Sequence, residues 1–255
     1  YISDANATQH DGNYSVVVSN DFGSVESGQS EFVVNSLDLN HGMFAWYPFD
    51  GNASDMSGNG KHAQLQGPTL GNDRFGSPNQ SYDFESSGSS FSQQGQRMIL
   101  PLEMNVTHCS LSLWVNPESY HWTGNSVKIS RIISTKRDSQ NSTASIFYLA
   151  LTENDLKFRQ KQGIEITTDS SIPLGTWSHL CYTINASSLK IFLNGTNLKT
   201  VTFSVPPGFV GSLMLGEAHS TNGHWYYYDG LIDDIRIYDR ALSAAEVQAL
   251  HNLGQ

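Results

Sequence analysis

Two short stretches set flat aromatic rings among polar side chains: Tyr120, His121 and Trp122, and His224, Trp225, Tyr226, Tyr227 and Tyr228. Sugar recognition calls for that mixture on a rigid support, with rings for the C–H faces and a few polar groups for the hydroxyls. Tyr120, Trp122, Trp225 and Tyr226 are the expected glycan contacts. The plainer use of the same rings is packing over a sheet edge. His121 and His224 could meet as metal ligands, but with no third ligand in view they are a weak signal for a zinc site. A second group is acidic. Asp50, Asn52 and Asp55 fall in FDGNASD, and Asp233 and Asp234 in LIDDIRIY. These are hard oxygen donors of the kind calcium takes, but the spacing lacks the turn glycine and closing Glu of an EF-hand loop. The alternative is that Asp55, Ser57, Asn59 and Gly60 shape a tight turn while Asp234 pairs with Arg236 or Arg240. No ExDxE triplet, GxSxG elbow or HExxH pair occurs. The full triplet that points alternate carboxylates at one glycosidic bond is therefore missing, and the chain is not expected to be an enzyme.

The elements that must position these residues are short strands separated by Gly, Asn, Ser and Asp clusters. Strands are expected at 110–115, 132–134, 146–151, 177–184, 189–193, 213–215 and 231–238. Asn194-Gly195 between LKIFL and LKTV is the strongest hairpin signal, because both turn residues must take positive φ. One helix is expected, opened by the capping box Ser243-Ala-Ala-Glu246 and about two turns long. The first 36 residues read as a separate β-hairpin made from GNYSVVV and EFVV, joined to the rest by SLDLNH.

The blocks AWYPFDGNASDMSGNG, YDFE, SLSLWVNP, GTWSHLCYT, LKIFLNG and DGLIDDIRIYDRALS occur in that order over residues 42–252. Together they resemble the signature of the concanavalin A-like, laminin-G-like superfamily. The resemblance implies an all-β, two-sheet antiparallel jelly-roll sandwich over residues 37–255 with a short C-terminal helix. It further implies a concave face or rim loops that bind glycan, and first and last strands lying side by side. That juxtaposition would bring Asp50, Asn52, Asp55 and Asp233 together around a structural calcium ion. Tyr228, Trp114 and Trp177 fall where the family has core aromatics. Residues 1–36 resemble the C-terminal part of an immunoglobulin-like domain, with Gly12 and Tyr14 matching, Asp11 one place late and Val16 where the family has its second cysteine.

Composition sets limits on partners. Charged residues are only 15%, and 14 Lys+Arg against 24 Asp+Glu give a formal charge of −10. An evenly acidic surface of that kind repels phosphate backbones and anionic lipid, so nucleic acid is not an expected partner. No stretch approaches the roughly 20 apolar residues of a spanning helix. Sequons lie at Asn6, Asn13, Asn52, Asn79, Asn105, Asn141, Asn185 and Asn194. They suggest an extracellular or cell-surface chain, glycosylated at Asn52, Asn79, Asn105, Asn141, Asn185 and Asn194 of the main module, although Asn- and Ser-rich chains also carry unused sequons. Strict alternation puts Cys109 and Cys181 on different sheet faces, and one β-bulge would reverse that. The expected function is a non-catalytic carbohydrate-binding or adhesion module of a larger protein, its partners a glycan or extracellular protein and its neighbouring domains. The alternatives are a self-assembling structural module or the targeting module of a polysaccharide-degrading enzyme.

Overall fold

The computed structural model describes residues 12–32, 37–85, 96–102, 108–120, 129–135, 147–153, 155–160, 165–202, 212–219 and 225–253. Two compact units emerge, Tyr1–Leu39 and Asn40–Gln255. In the first, β1 (Gly12–Tyr14) pairs with β4 (Ser30–Phe32), and β2 (Val17–Asn20) with β3 (Gly23–Glu26), all antiparallel. The expected hairpin thus carries an inner hairpin that the sequence reading missed. The break between them is held by the Val16 N–H donating to Ser27 Oγ and the Ser27 N–H to Val16 O, both 2.9 Å. Val16, Val17, Val18 and Val25 are exposed.

The second unit runs β5 (Met43–Tyr47), β6 (Gln64–Gln66), β7 (Thr69–Gly71), β8 (Ser81–Phe84), β9 (Arg97–Leu100), β10 (Cys109–Pro117), β11 (Ile129–Thr135), β12 (Phe147–Thr152), β13 (Leu156–Gln160), β14 (Glu165–Thr167), β15 (Ser178–Ile184), β16 (Ser188–Leu193), β17 (Thr196–Thr202), β18 (Leu213–Leu215), β19 (Glu217–His219), β20 (Trp225–Tyr227), β21 (Gly230–Tyr238) and α1 (Ala244–Leu253). An eight-stranded sheet has the order β17-β16-β15-β10-β21-β8-β7, with β5 also on β21; a seven-stranded sheet has the order β14-β13-β12-β11-β18-β9-β6. Alternation sorts the side chains. Leu111, Leu113 and Val115 of β10 and Leu180, Tyr182 and Ile184 of β15 share one buried cluster with Met98, Leu100, Leu149, Leu151, Leu156 and Phe158 of the other sheet. A two-sheet sandwich is the result, because each sheet can bury only the face that meets its partner.

Local signals act where the sequence places them. Asn194 and Gly195 have φ of 48° and 77°, between the paired Leu193 and Thr196. The Ser243 N–H donates to Glu246 Oε2 at 2.8 Å and the Glu246 N–H to Ser243 Oγ at 3.2 Å, closing the capping box of a helix ten residues long. The first strand of the unit lies against the last, Tyr47 opposite Ile235 and Ala45 opposite Ile237. Cys109 belongs to the core cluster, whereas Cys181 sits opposite Ser112 and outside that cluster; both are free, buried thiols.

Candidate functional site

The outer face of the seven-stranded sheet carries a stack of planar groups. On β12, Leu149 and Leu151 point into the core, which sends Tyr148 and Ala150 outward. On β11 a register shift between Arg131 and Ile133 lets Ile132 and Ile133 both join the core and leaves Arg131 opposite Ala150. Beside so small a residue the guanidinium lies over the Tyr148 ring, 4.1 Å from its centroid. The Tyr226 ring covers the guanidinium at 3.9 Å. Stacking a desolvated guanidinium on aromatic rings is favourable by about 1–2 kcal/mol and fixes its orientation.

Tyr226 reaches this position because the β19–β20 ribbon is tied to the same face. Gly216 opens the ribbon at φ 79°, where an added Cβ would stand 2.3 Å from the Phe84 ring. Ser134 Oγ donates to Glu217 O at 3.1 Å, and the Glu217 carboxylate meets Arg97 at 3.3 Å. Burial pushes the Glu217 carboxyl up, with Arg97 opposing.

The other sequence candidates fare differently. Tyr120 packs against the core, and its hydroxyl donates to Ile172 O at 2.8 Å. Trp122 lies outside the described residues, as do His121, His224, Asn6, Asn105 and Asn141; of Trp225 the backbone alone is described, opposite His219. Asn52, Asn79 and Asn194 are exposed and Asn185 is half-buried, its Oδ1 accepting the Ser187 and Ser188 N–H groups. Tyr228 and Trp114 are buried.

The residues anticipated for calcium have other partners. Asp55 Oδ1 accepts the Trp46 and Ser57 N–H groups at 3.0 and 2.9 Å, and its Oδ2 accepts the Lys61 N–H at 2.9 Å. Asp233 accepts the Asp234 N–H at 2.7 Å and binds Arg74 at 2.5 Å. Burial nonetheless raises the Asp233 carboxyl to about 7, with Arg74 opposing and Asp234 adding repulsion. Asp234 accepts from Trp46 Nε1 and Arg236 Nε. Asp50 is exposed, and Asn52 Oδ1 accepts the Ser54 N–H. Two carboxylates filled by backbone amides and a guanidinium do not fit a cation that needs six to eight oxygens. The sequence reading overlooked a different grouping: the carboxylates of Asp83, Glu85 and Glu118 lie within 4.8 Å of one another. The two-residue spacing of Asp83 and Glu85 was the available signal. Burial, then the charge of Asp229, raises the Asp83 carboxyl, and burial, then the charges of Asp83, Asp229 and Glu85, raises that of Glu118.

Residues 92–248 match the family model of the concanavalin A-like lectin/glucanases superfamily, a laminin-G group. The chain belongs to that superfamily. Among solved structures this concanavalin A-like chain is similar to the binding domain of botulinum neurotoxin DC in complex with rat synaptotagmin II, at 17% identity and a TM-score of 0.65, over 86% of this chain and 53% of that one. It is also similar to a botulinum neurotoxin type C structure described by its interaction with two ganglioside molecules, at 18% identity and a TM-score of 0.63, over 85% and 52%. Domain 4 of AbnA, an extracellular GH43 arabinanase from Geobacillus stearothermophilus, solved in complex with arabinotriose, matches at 22% identity and a TM-score of 0.52, over 84% and 98%. The chain thus spans about half the length of the toxin binding domains, and these likenesses establish the fold alone. No curated protein matches the sequence.

Proposed function

We propose that this domain is a non-catalytic carbohydrate-binding module of a larger secreted or surface protein, and that the sugar chain lies along the outer face of the seven-stranded sheet. The observation that carries the reading is the Tyr148–Arg131–Tyr226 stack. It holds a partly exposed aromatic ring rigidly above a sheet, the support that stacking on a pyranose face requires. The arabinotriose bound by the arabinanase domain and the gangliosides of the type C neurotoxin support a sugar ligand by analogy of fold. Nothing in the reading runs through calcium. In it, residues 1–36 are the end of an immunoglobulin-like neighbour. The exposed valines of β2 and β3 favour a second role for that unit, in assembly with a partner strand or another copy.

Affinity electrophoresis through gels containing single polysaccharides tests the site. The wild type is expected to be retarded by at least one polymer. Tyr226→Ala should weaken that binding about tenfold or more, and Tyr226→Phe should keep it. Failure of every polymer to retard the wild type, or equal retardation of Tyr226→Ala, rejects the reading.

A further inference from the structure

Ile232 and Ile235 of β21 both join the core, which strict alternation along a strand forbids. The extra residue is Asp234, at φ 42° where the pairing with β10 shifts register, and this bulge sends the Asp233 and Asp234 side chains to the same outer face of the eight-stranded sheet. A left-handed backbone is costly for a residue with a Cβ, and strain of that kind collects at ligand sites. Asp234 Oδ1 is filled, accepting from Trp46 Nε1 at 2.8 Å and Arg236 Nε at 3.0 Å. Its Oδ2 accepts no hydrogen bond from the described residues; the Arg74 guanidinium stands 3.8 Å away, and the side chain keeps 13% of its surface open to solvent.

The same guanidinium lies over the Phe75 ring, 4.8 Å from its centroid. Arg74 is itself fixed by Asp233 and by the Trp114 ring. Phe75 is 58% exposed, yet its turn is closed from within. Asp73 Oδ1 accepts the Phe75 and Ser77 N–H groups at 2.9 and 2.7 Å, and Asp73 O accepts the Gly76 N–H at 3.1 Å. Single exposed apolar side chains are ordinary. A ring held on a closed turn beside an unfilled carboxylate oxygen is a different arrangement. Trp46 is a second ring at Asp234: Ala45 and Tyr47 point into the core, so Trp46 lies on the outer face, opposite Arg236.

We infer that these residues form a second glycan subsite, for a neutral sugar that lays its C–H face on Phe75 and donates a hydroxyl to Asp234 Oδ2. The choice of sugar rests on the carbohydrate-binding reading above; the placement does not. A ring and an acceptor, both on fixed supports, are what a sugar requires of a site. The carboxylate sets the charge of the ligand, because an acidic sugar would bring like charge against Asp234. Phe75 and Tyr226 belong to the outer faces of opposite sheets, so one domain can hold two glycan strands.

Affinity electrophoresis of the whole chain through gels of linear arabinan, galactan, dextran or polygalacturonate provides the test. Tyr226→Ala should keep a residual retardation by at least one neutral polymer. Adding Phe75→Ala should weaken what remains by about threefold or more without lowering the melting temperature further, and adding Phe75→Trp instead should preserve it. No residual binding in Tyr226→Ala, or no further loss on adding Phe75→Ala, overturns the inference; where Tyr226→Ala alone has weakened binding, the carbohydrate reading stands. Retardation that Tyr226→Ala leaves intact and Phe75→Ala removes supports this subsite and rejects the other face. Dependence on Phe75 in polygalacturonate alone overturns the inference. If no polymer retards the wild type, both readings fail.

Discussion

Replacing Asp55 by alanine is expected to lower the unfolding free energy by about 3 kcal/mol, and equally in calcium and in chelator. The side chain is buried and accepts three backbone N–H groups, from Trp46, Ser57 and Lys61. One belongs to β5 and two to the following turn, so the carboxylate closes the turn onto the strand. Removing it leaves donors without partners at about 1–3 kcal/mol each, less whatever water reaches. Burial alone would raise the Asp55 carboxyl, but the hydrogen bonds from Ser57, Trp46 and Lys61 outweigh it and hold it below the usual aspartate value. The sign follows. A depressed folded pKa gives stability that is complete above the unfolded value of about 3.9 and is lost as pH falls through the folded one. Urea melts at pH 7, with and without EDTA, check the claim. A loss under about 1 kcal/mol, or one that appears only with calcium present, contradicts the hydrogen-bonding role assigned here.

As pH falls below 7, His179 should withdraw stability from the domain, opposed in the same range by Asp233, whose carboxyl burial raises to about 7. His179 is buried, with Nε2 2.8 Å from Ser112 Oγ and Nδ1 lacking a hydrogen-bond partner. Its ring lies 5.3 Å from Trp114 and 5.8 Å from His251 of α1, and Trp114 and His251 stack at 5.7 Å. Burial first, then the charges of His251, Arg74 and Arg236, lower its pKa to about 3. The folded state therefore keeps His179 neutral while the unfolded chain takes up a proton below about pH 6.5. Its stabilising contribution is complete above pH 6.5 and declines as pH falls from there toward about 3, at about 1.4 kcal/mol per pH unit. Wild type and His179→Gln compared in urea between pH 7 and 5 should differ in slope by about that amount, the variant being flatter. Parallel slopes would show that His179 does not carry the acid sensitivity.

These two residues illustrate what a sequence makes legible. The Asn194-Gly195 turn and the Ser243–Glu246 box were readable because each acts within four residues, and the structure places both where expected. The sandwich was readable from short strands set between turn clusters and from the resemblance of six ordered blocks to the superfamily. The fate of Asp55 and Asp233 was not. Residue type marked them as oxygen donors, but their partners are backbone amides and an arginine from the β7–β8 connection, neither of which leaves a signature beside the aspartate. The Tyr148–Arg131–Tyr226 stack was harder still. It depends on a register shift in β11 and on a ribbon that returns across the sheet from far along the chain. Tyr226 was identified from its aromatic neighbours alone. Tyr120, chosen on the same ground, has its hydroxyl committed inward.

Amide exchange followed by mass spectrometry, with the domain free and saturated with the polysaccharide that retards it most, locates the ligand without any substitution. The account predicts slowed exchange in peptides covering β11, β12, β13 and β20 and no change in those covering α1, β16 and β17. Protection confined to the eight-stranded sheet or to residues 12–32 would place the ligand elsewhere and contradict the assignment of this face.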